Sequence, residues 1–403
     1  MEAALDRETV FCPEPPLLAG IAPPIARLRR SAFERFERLG FPQPKNEAWR
    51  YTGLQPITGI NWGLARRPPR LSCPPDGVRV WTLSRAARDL PADLSSIAPF
   101  EENAFAALNT AFLEEAVIVE IAAGAVVADP VEIVFDTPEA EHARVSHPRV
   151  LILAGRHSQA AVVEAYSGAG HYFTNAVTEI LVGEGALLEH SKLQQESAEA
   201  AHLHTVAARQ ERDSHFTSNN VALGGALART DVRVTLADEG AECTLNGLFL
   251  GAGTQHIDNH TWIDHARPHG VSRELYKGIM DGGSRGVFHG TIIVRPGAQK
   301  TDAMQTNKNL LLSRRALVNS TPALEIFADD VKCKHGSTTG QLDPEALFYL
   351  RSRGLDEDAA RSLLTFAFAS DVADRLRVPR VRAAVEEAIA VRLGGARVPE
   401  VVR

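Results

Sequence analysis

The sequence predicts a mainly β protein: a long β-solenoid core with helical regions at its N- and C-terminal ends. Two observations predict it. More than 200 residues, from about 116 to 339, read as short strands broken by Gly, Asp and Asn, with almost no helical spacing. The stretches before and after carry apolar residues three and four apart. The boundaries fall at 1–115 for an N-terminal helical region, 116–340 for the β core and 341–403 for a C-terminal helical domain.

The first 20 or so residues are Pro-rich and read as loose chain. A helix follows, with Pro24 in its first turn and Ile25, Leu28, Ala32, Phe33, Phe36 and Leu39 on one side; Gly40 ends it. Residues 66–75 are Pro- and Arg-rich and read as a loop, and 84–115 holds further short helices, such as Asn103 to Leu113. Val117 to Ile121 opens the β region, and Val232–Leu236 and Thr291–Val294 are typical later strands. Gly-Ala pairs at 124, 185, 225, 240, 251 and 297 mark turns. A sandwich or a propeller would also use short strands. Long stacks closed by Gly or Asn turns favour the solenoid, whose turns bury a common core only by stacking. Beyond Gly340, Asp343-Pro344 caps a helix through Leu347, Phe348 and Leu350 that stops at Gly354. Asp356 caps a second, carrying Leu363, Leu364, Phe366, Phe368, Val372 and Leu376. A third starts near Pro379, spaces Val381, Val385 and Ile389 four apart, and ends at Gly394-Gly395.

Composition narrows the function classes. The chain has 403 residues, 44% hydrophobic and 23% charged, enough for two or three structural units with a large core. A net charge of −7 argues against nucleic acid as the main partner. The Arg27, Arg29, Arg30 cluster is offset by Glu34 and Glu37 and reads as a solvated helix face. No apolar run reaches the ~20 residues of a membrane span, and the N-terminus lacks a signal-peptide core, so a cytoplasmic location is expected. Cys12, Cys73, Cys243 and Cys333 form no CxxC pair, which speaks against a disulfide framework and against a complete cluster or zinc site on this chain. No GxxxxGK[ST], HExxH or GxSxG is present, and Gly168-Ala169-Gly170 lacks the third glycine and the helix of a dinucleotide site.

Two polar segments stand out. In 255–265 a strand would place His256, Asp258, His260, Trp262 and Asp264 on one face and Ile257, Asn259, Thr261 and Ile263 on the other. The His256, Asp258, His260 row has the right donors for a metal; an outward polar face, or one covered by a partner, is the preferred reading. In 328–337, Val331, Cys333 and His335 share a face and Lys332 and Lys334 take the other. Nearby lysines favour a thiolate. On chemistry alone, an inert cysteine beside a surface histidine is the better reading.

Residues 329–343, running Asp-Asp-Val-Lys-Cys-Lys-His-Gly-Ser-Thr-Thr-Gly-Gln-Leu-Asp, and their continuation through 345–354 resemble the C-terminal signature of the SufD family. Asn46-Glu47-Ala48-Trp49-Arg50-Tyr51-Thr52 resembles its N-terminal motif, and the helical, β, helical order matches over nearly the whole chain. The related SufB typically carries an acidic, His/Glu-containing form of 329–340. The resemblance implies a right-handed parallel β-helix that pairs with SufB at the C-terminal end of the β-helix. It also implies a SufC ATPase of the ABC type on the C-terminal helices, with Leu347, Phe348, Leu363, Leu364, Phe366 and Phe368 as the expected docking surface. The chain itself would be a non-catalytic scaffold subunit, helping iron supply and nascent iron–sulfur cluster formation at the SufB–SufD interface. Clusters would pass to downstream carriers. Cys333 and His335 would lie at that interface and share iron or a transient Fe–S cluster with SufB. A homodimer is the alternative in isolation. No motif indicates flavin, which is left open as a cofactor. Two other classes stay open: a β-helical carbohydrate-active enzyme using carboxylates such as Asp258 and Asp264, and an adaptor without metal chemistry.

Overall fold

Residues two apart along each strand point the same way, and here the inward sets of successive strands stack into columns. One column reads Ala160, Leu188, Phe216, Cys243, Ser272, Ala303, Cys333 in direct parallel register. The next reads Val162, His190, Ser218, Leu245, Glu274, Gln305, His335. The structure is a computed structural model and describes residues 21–83 and 90–392. The expectations for the first 20 residues, for 84–89 and for Gly394-Gly395 lie outside the described residues.

Two facing sheets wind into the solenoid. One runs β3 (Val78–Thr82), β4 (Val117–Ile121), β7 (Arg149–Ala154), β9 (Tyr172–Val182), β11 (Ala201–Gln210), β13 (Leu227–Leu236), β15 (His256–His265), β17 (Arg285–Val294), β19 (Leu317–Ile326), with β1 (Gly63–Leu64) and β6 (Arg144–Ser146) alongside. The other runs β2 (Arg70–Leu71), β5 (Val131–Thr137), β8 (Gln159–Gly168), β10 (Leu187–Gln195), β12 (His215–Ala222), β14 (Glu242–Gly251), β16 (Val271–Met280), β18 (Asp302–Leu311), β20 (Lys332–Gly340). From β4 onward the pairings are parallel, so the β-solenoid expectation holds. The N-terminal region is less purely helical than expected: β2 and β3 cap the first turns in antiparallel pairings. At the turns Gly124, Gly185, Gly225, Gly240 and Gly297 take positive φ, where a side chain is strained. At the sixth marked pair Gly251 ends β14 and Gly253 makes the turn.

Both outer faces are covered. On the first sheet lie α1 (Pro23–Leu39) and α2 (Ala104–Ala111), whose Asn103 cap accepts from the Phe105 and Ala106 amides. Phe105, Phe112, Trp62 and Leu54 pack there against Phe173, Val177 and Leu203. A buried ion pair, Arg149 to Glu179 at 2.6 Å, anchors this cover. Glu179 also accepts the Ser95, Ile97 and Ala98 amides, and Arg149 donates to Asn109 and Thr110. On the second sheet, α4 (Glu357–Ala373) and α5 (Pro379–Arg392) lay Ala369, Val372, Val381 and Val385 over Leu193, Val221, Leu248 and Ile279. Leu376, expected in the second C-terminal helix, lies just past its end at Ala373. The preceding α3 (Pro344–Ser352), capped by Asp343, buries none of its residues.

Candidate functional site

The solenoid has an open end. β19 and β20 are the terminal strands of the two sheets, and no described strand pairs with their outer edges. Each therefore presents a row of free backbone donors and acceptors. Leu317, Ile326 and Phe327 are exposed beside them, Phe327 at 60%. Cys333 and His335 end the two inward columns: with no further turn above, the buried Ala303 and Gln305 are followed by a half-buried thiol and an exposed imidazole. The last strand is held by Ser337 donating to Ser320 (2.7 Å), which donates to Asn307 (2.8 Å). Gln305 donates to Glu274 (2.8 Å), whose carboxyl burial pushes up to about 7.

The electrostatics at Cys333 differ from the expectation. Burial pushes its thiol up, and Asp302 adds to the rise. Lys332 and Lys334 alternate onto the opposite face of β20, so they do not favour the thiolate. Among the described residues, no three His, Cys, Asp or Glu side chains are grouped to hold a metal. Cys333 and His335 have no third such side chain grouped with them among the described residues.

The His256, Asp258, His260 row is covered from within the chain. The segment 46–52 lies over it: Thr52 donates to Asp258 (2.6 Å) and sits 2.9 Å from His256 Nε2. Arg229 donates to Asp258 (2.6 Å), to Asp231 (2.8 Å) and to the Ala48 carbonyl (2.7 Å), with its guanidinium 3.8 Å from the Trp49 ring centre. Burial would raise the Asp258 carboxyl, but Arg229 and His260 hold it well below the usual range. A charge already paired with arginine is a poor metal ligand, so the row is the seat of the N-terminal motif. Asp264 is bonded twice to Arg295 (2.9 and 3.0 Å). The two carboxylates offered for glycosidic chemistry are thus both committed.

The expected docking residues divide. Phe348 is 75% exposed on α3, with Tyr349 beside it at 56%. Leu347, Leu363 and Leu364 are half-buried. Phe366 and Phe368 turn inward and pack on the second sheet's cover, and Lys277 reaches over the Phe368 ring to its carbonyl (2.7 Å) and to Asp371 (2.5 Å).

One cluster escaped the sequence reading: Glu164, His190, Lys192, Glu196, His202 and His204 are all buried inside the first turns. His190 lies 2.9 Å from Glu164 and His202 2.7 Å from Glu196, while Lys192 donates to Thr230 and is pushed down to about 7 by burial. The signal was the alternation His202, Leu203, His204, which reads equally as an outward polar face.

Residues 136–368 match the family described as SUF system FeS cluster assembly, SufBD core domain, and 16–74 match the SufBD protein N-terminal region. The chain belongs to the SufBD family. Similar proteins include the iron-sulfur cluster assembly SufBD family protein slr0076 of Synechocystis, 29% identical over 97% of this chain and 96% of the relative. The chloroplastic protein ABCI7 of Arabidopsis thaliana is 31% identical over 89% and 84%. The iron-sulfur cluster assembly protein SufD of Escherichia coli is 35% identical over 64% and 62%. As a SufBD protein, the chain is an Fe–S cluster assembly protein similar to SufD. No helix among the described residues is long and apolar enough to cross a membrane.

Proposed function

We propose that this chain is the SufD-type, non-catalytic subunit of a cytosolic scaffold on which iron–sulfur clusters are assembled as cargo for downstream carriers. In this reading a SufB-type partner covers the open end of the solenoid, and a SufC-type ATPase sits on α3. The observation that carries it is the last turn: two unpaired strand edges, exposed Leu317, Ile326 and Phe327, and, ending the inward columns, a thiol and an imidazole. Edges of this kind are templates for a second chain, and an Fe–S cluster usually needs more ligands than Cys333 and His335 supply. The partner must complete the shell. The same edges would allow a homodimer when no partner is present.

The test is co-expression of the full chain with the SufB- and SufC-type proteins of its organism. His335→Ala should leave the complex intact by size exclusion and lower its iron and sulfide content after anaerobic isolation. Cys333→Ser should do so less, because the thiol also packs against the end of the solenoid core. An intact His335→Ala complex with undiminished cluster removes His335 as a ligand. A complex that falls apart makes it a contact residue instead.

A further inference from the structure

At the opposite end from Cys333 and His335, a cleft of about 300 Å³ lies where the N-terminal region meets the first turns. That is the small end of the ~300–1,000 Å³ range of ligand pockets. Two near-parallel ring pairs line it: Phe112 on His147, centroids 4.8 Å apart at 17°, and Phe135 on Tyr166, 5.0 Å apart at 15°. His147 is neutral, its imidazole pushed down to about 3 by burial, so its ring adds a flat uncharged surface. Glu196, 6% exposed, also lines the cleft. Its carboxylate accepts from Thr174 (2.9 Å) and Gln194 (3.0 Å) and lies 2.7 Å from His202. The Tyr172 phenol also interacts with this carboxylate, so an incoming donor would compete with it for the last of about four acceptor sites. The segment 65–69 also borders the cleft, stiffened by Pro68-Pro69 and fastened by Arg66–Glu114 (2.9 Å) and Arg67–Asp136 (3.2 Å). Both arginines are about half exposed, so these ties can exchange with solvent.

We propose that this cleft binds a planar two-ring heteroaromatic molecule carrying an N–H donor or a positive charge, its rings stacked on the aromatic walls and its donor on Glu196. Ring faces favour flat aromatic partners; a buried carboxylate selects a donor over an acceptor and gives a charge-assisted bond. The cleft is too small for a dinucleotide.

The full chain, without partners, is titrated with 4-aminoquinoline, which has the donor, and with quinoline, which lacks it, followed by probe fluorescence and saturation-transfer NMR. The expected result is saturable 4-aminoquinoline binding below about 1 mM. Glu196→Gln weakens it about tenfold or more and leaves quinoline within about twofold, as expected for losing a hydrogen bond to a charged group. Phe135→Trp, which puts a larger ring at this lining position, abolishes both. Absence of saturation in the wild type, or unchanged binding to Phe135→Trp, overturns the site. Equal binding of the two probes that Glu196→Gln does not change overturns the ligand class. Should Glu196→Gln fail to fold, Phe135→Trp at its half-buried position still decides the site.

Discussion

At Arg229 the chain joins its N-terminal motif to the solenoid through two carboxylates, a backbone carbonyl and the Trp49 ring. Arg229→Met would leave Asp258 charged and buried without its main partner. The expected loss is about 3–5 kcal/mol in urea unfolding, the usual cost of breaking a buried pair from one side. Replacing both residues by apolar ones, Arg229→Met with Asp258→Leu, should recover most of it. Glu274 behaves oppositely. Its folded pKa, about 7, lies above the ordinary carboxyl value of 4.5, so the folded state holds the proton more tightly. Its contribution to stability is fully present below pH 4.5 and is lost as pH rises through 7. Glu274→Gln keeps an acceptor for Gln305 without the charge. It should therefore stabilise the protein at pH 8 by on the order of 2–4 kcal/mol and change little at pH 4.5, read from urea midpoints at the two values.

In the proposed function, the elements at the open end and on α3 are the ones that partners cover. Phe348 and Tyr349 lie on a helix that buries none of its own residues, so Phe348→Asp should leave the melting temperature within about 2 °C while weakening capture of the ATPase by at least tenfold in a pull-down titration. Phe368→Asp should instead unfold the C-terminal cover, because that ring packs inward under Lys277. At the other surface, Phe327→Lys places a charge beside a strand edge, a standard way of blocking edge pairing. The expected outcome is a monomer by light scattering that no longer joins the SufB-type partner, with its circular dichroism unchanged.

For the whole molecule, the two covers are parts of the core. Leu193, Val221, Leu248 and Ile279 face outward from the second sheet and are buried in one cluster with α4 and α5. Removing residues 343–403 would bare a contiguous apolar face, and such faces drive association. The truncated chain should aggregate, or bind a hydrophobic dye strongly, in gel filtration and dye titration. A soluble, monomeric truncation with low dye binding would mean that the sheet is stable without its cover. Point changes on α3 are therefore the cleaner test of ATPase docking.

The elements were legible in the sequence because their causes are local: Asn103, Asp343 and Asp356 cap helices, and glycines take the positive-φ turns. Alternation correctly put Cys333 and His335 on one side of β20, which begins at Lys332, one residue after Val331. Residues 46–52 and 329–354 carried the family resemblance. Alternation has two solutions, however, and cannot say which face turns inward or what covers the outer one. That is decided by contacts between residues far apart in the chain. Thr52 reaching Asp258 across 206 positions turned a metal-like row into a clamp, and stacking buried the His202 and His204 pair. Phe366 and Phe368 pack into the C-terminal cover and Phe348 faces solvent, because α4 docks on the second sheet whereas α3 buries none of its residues.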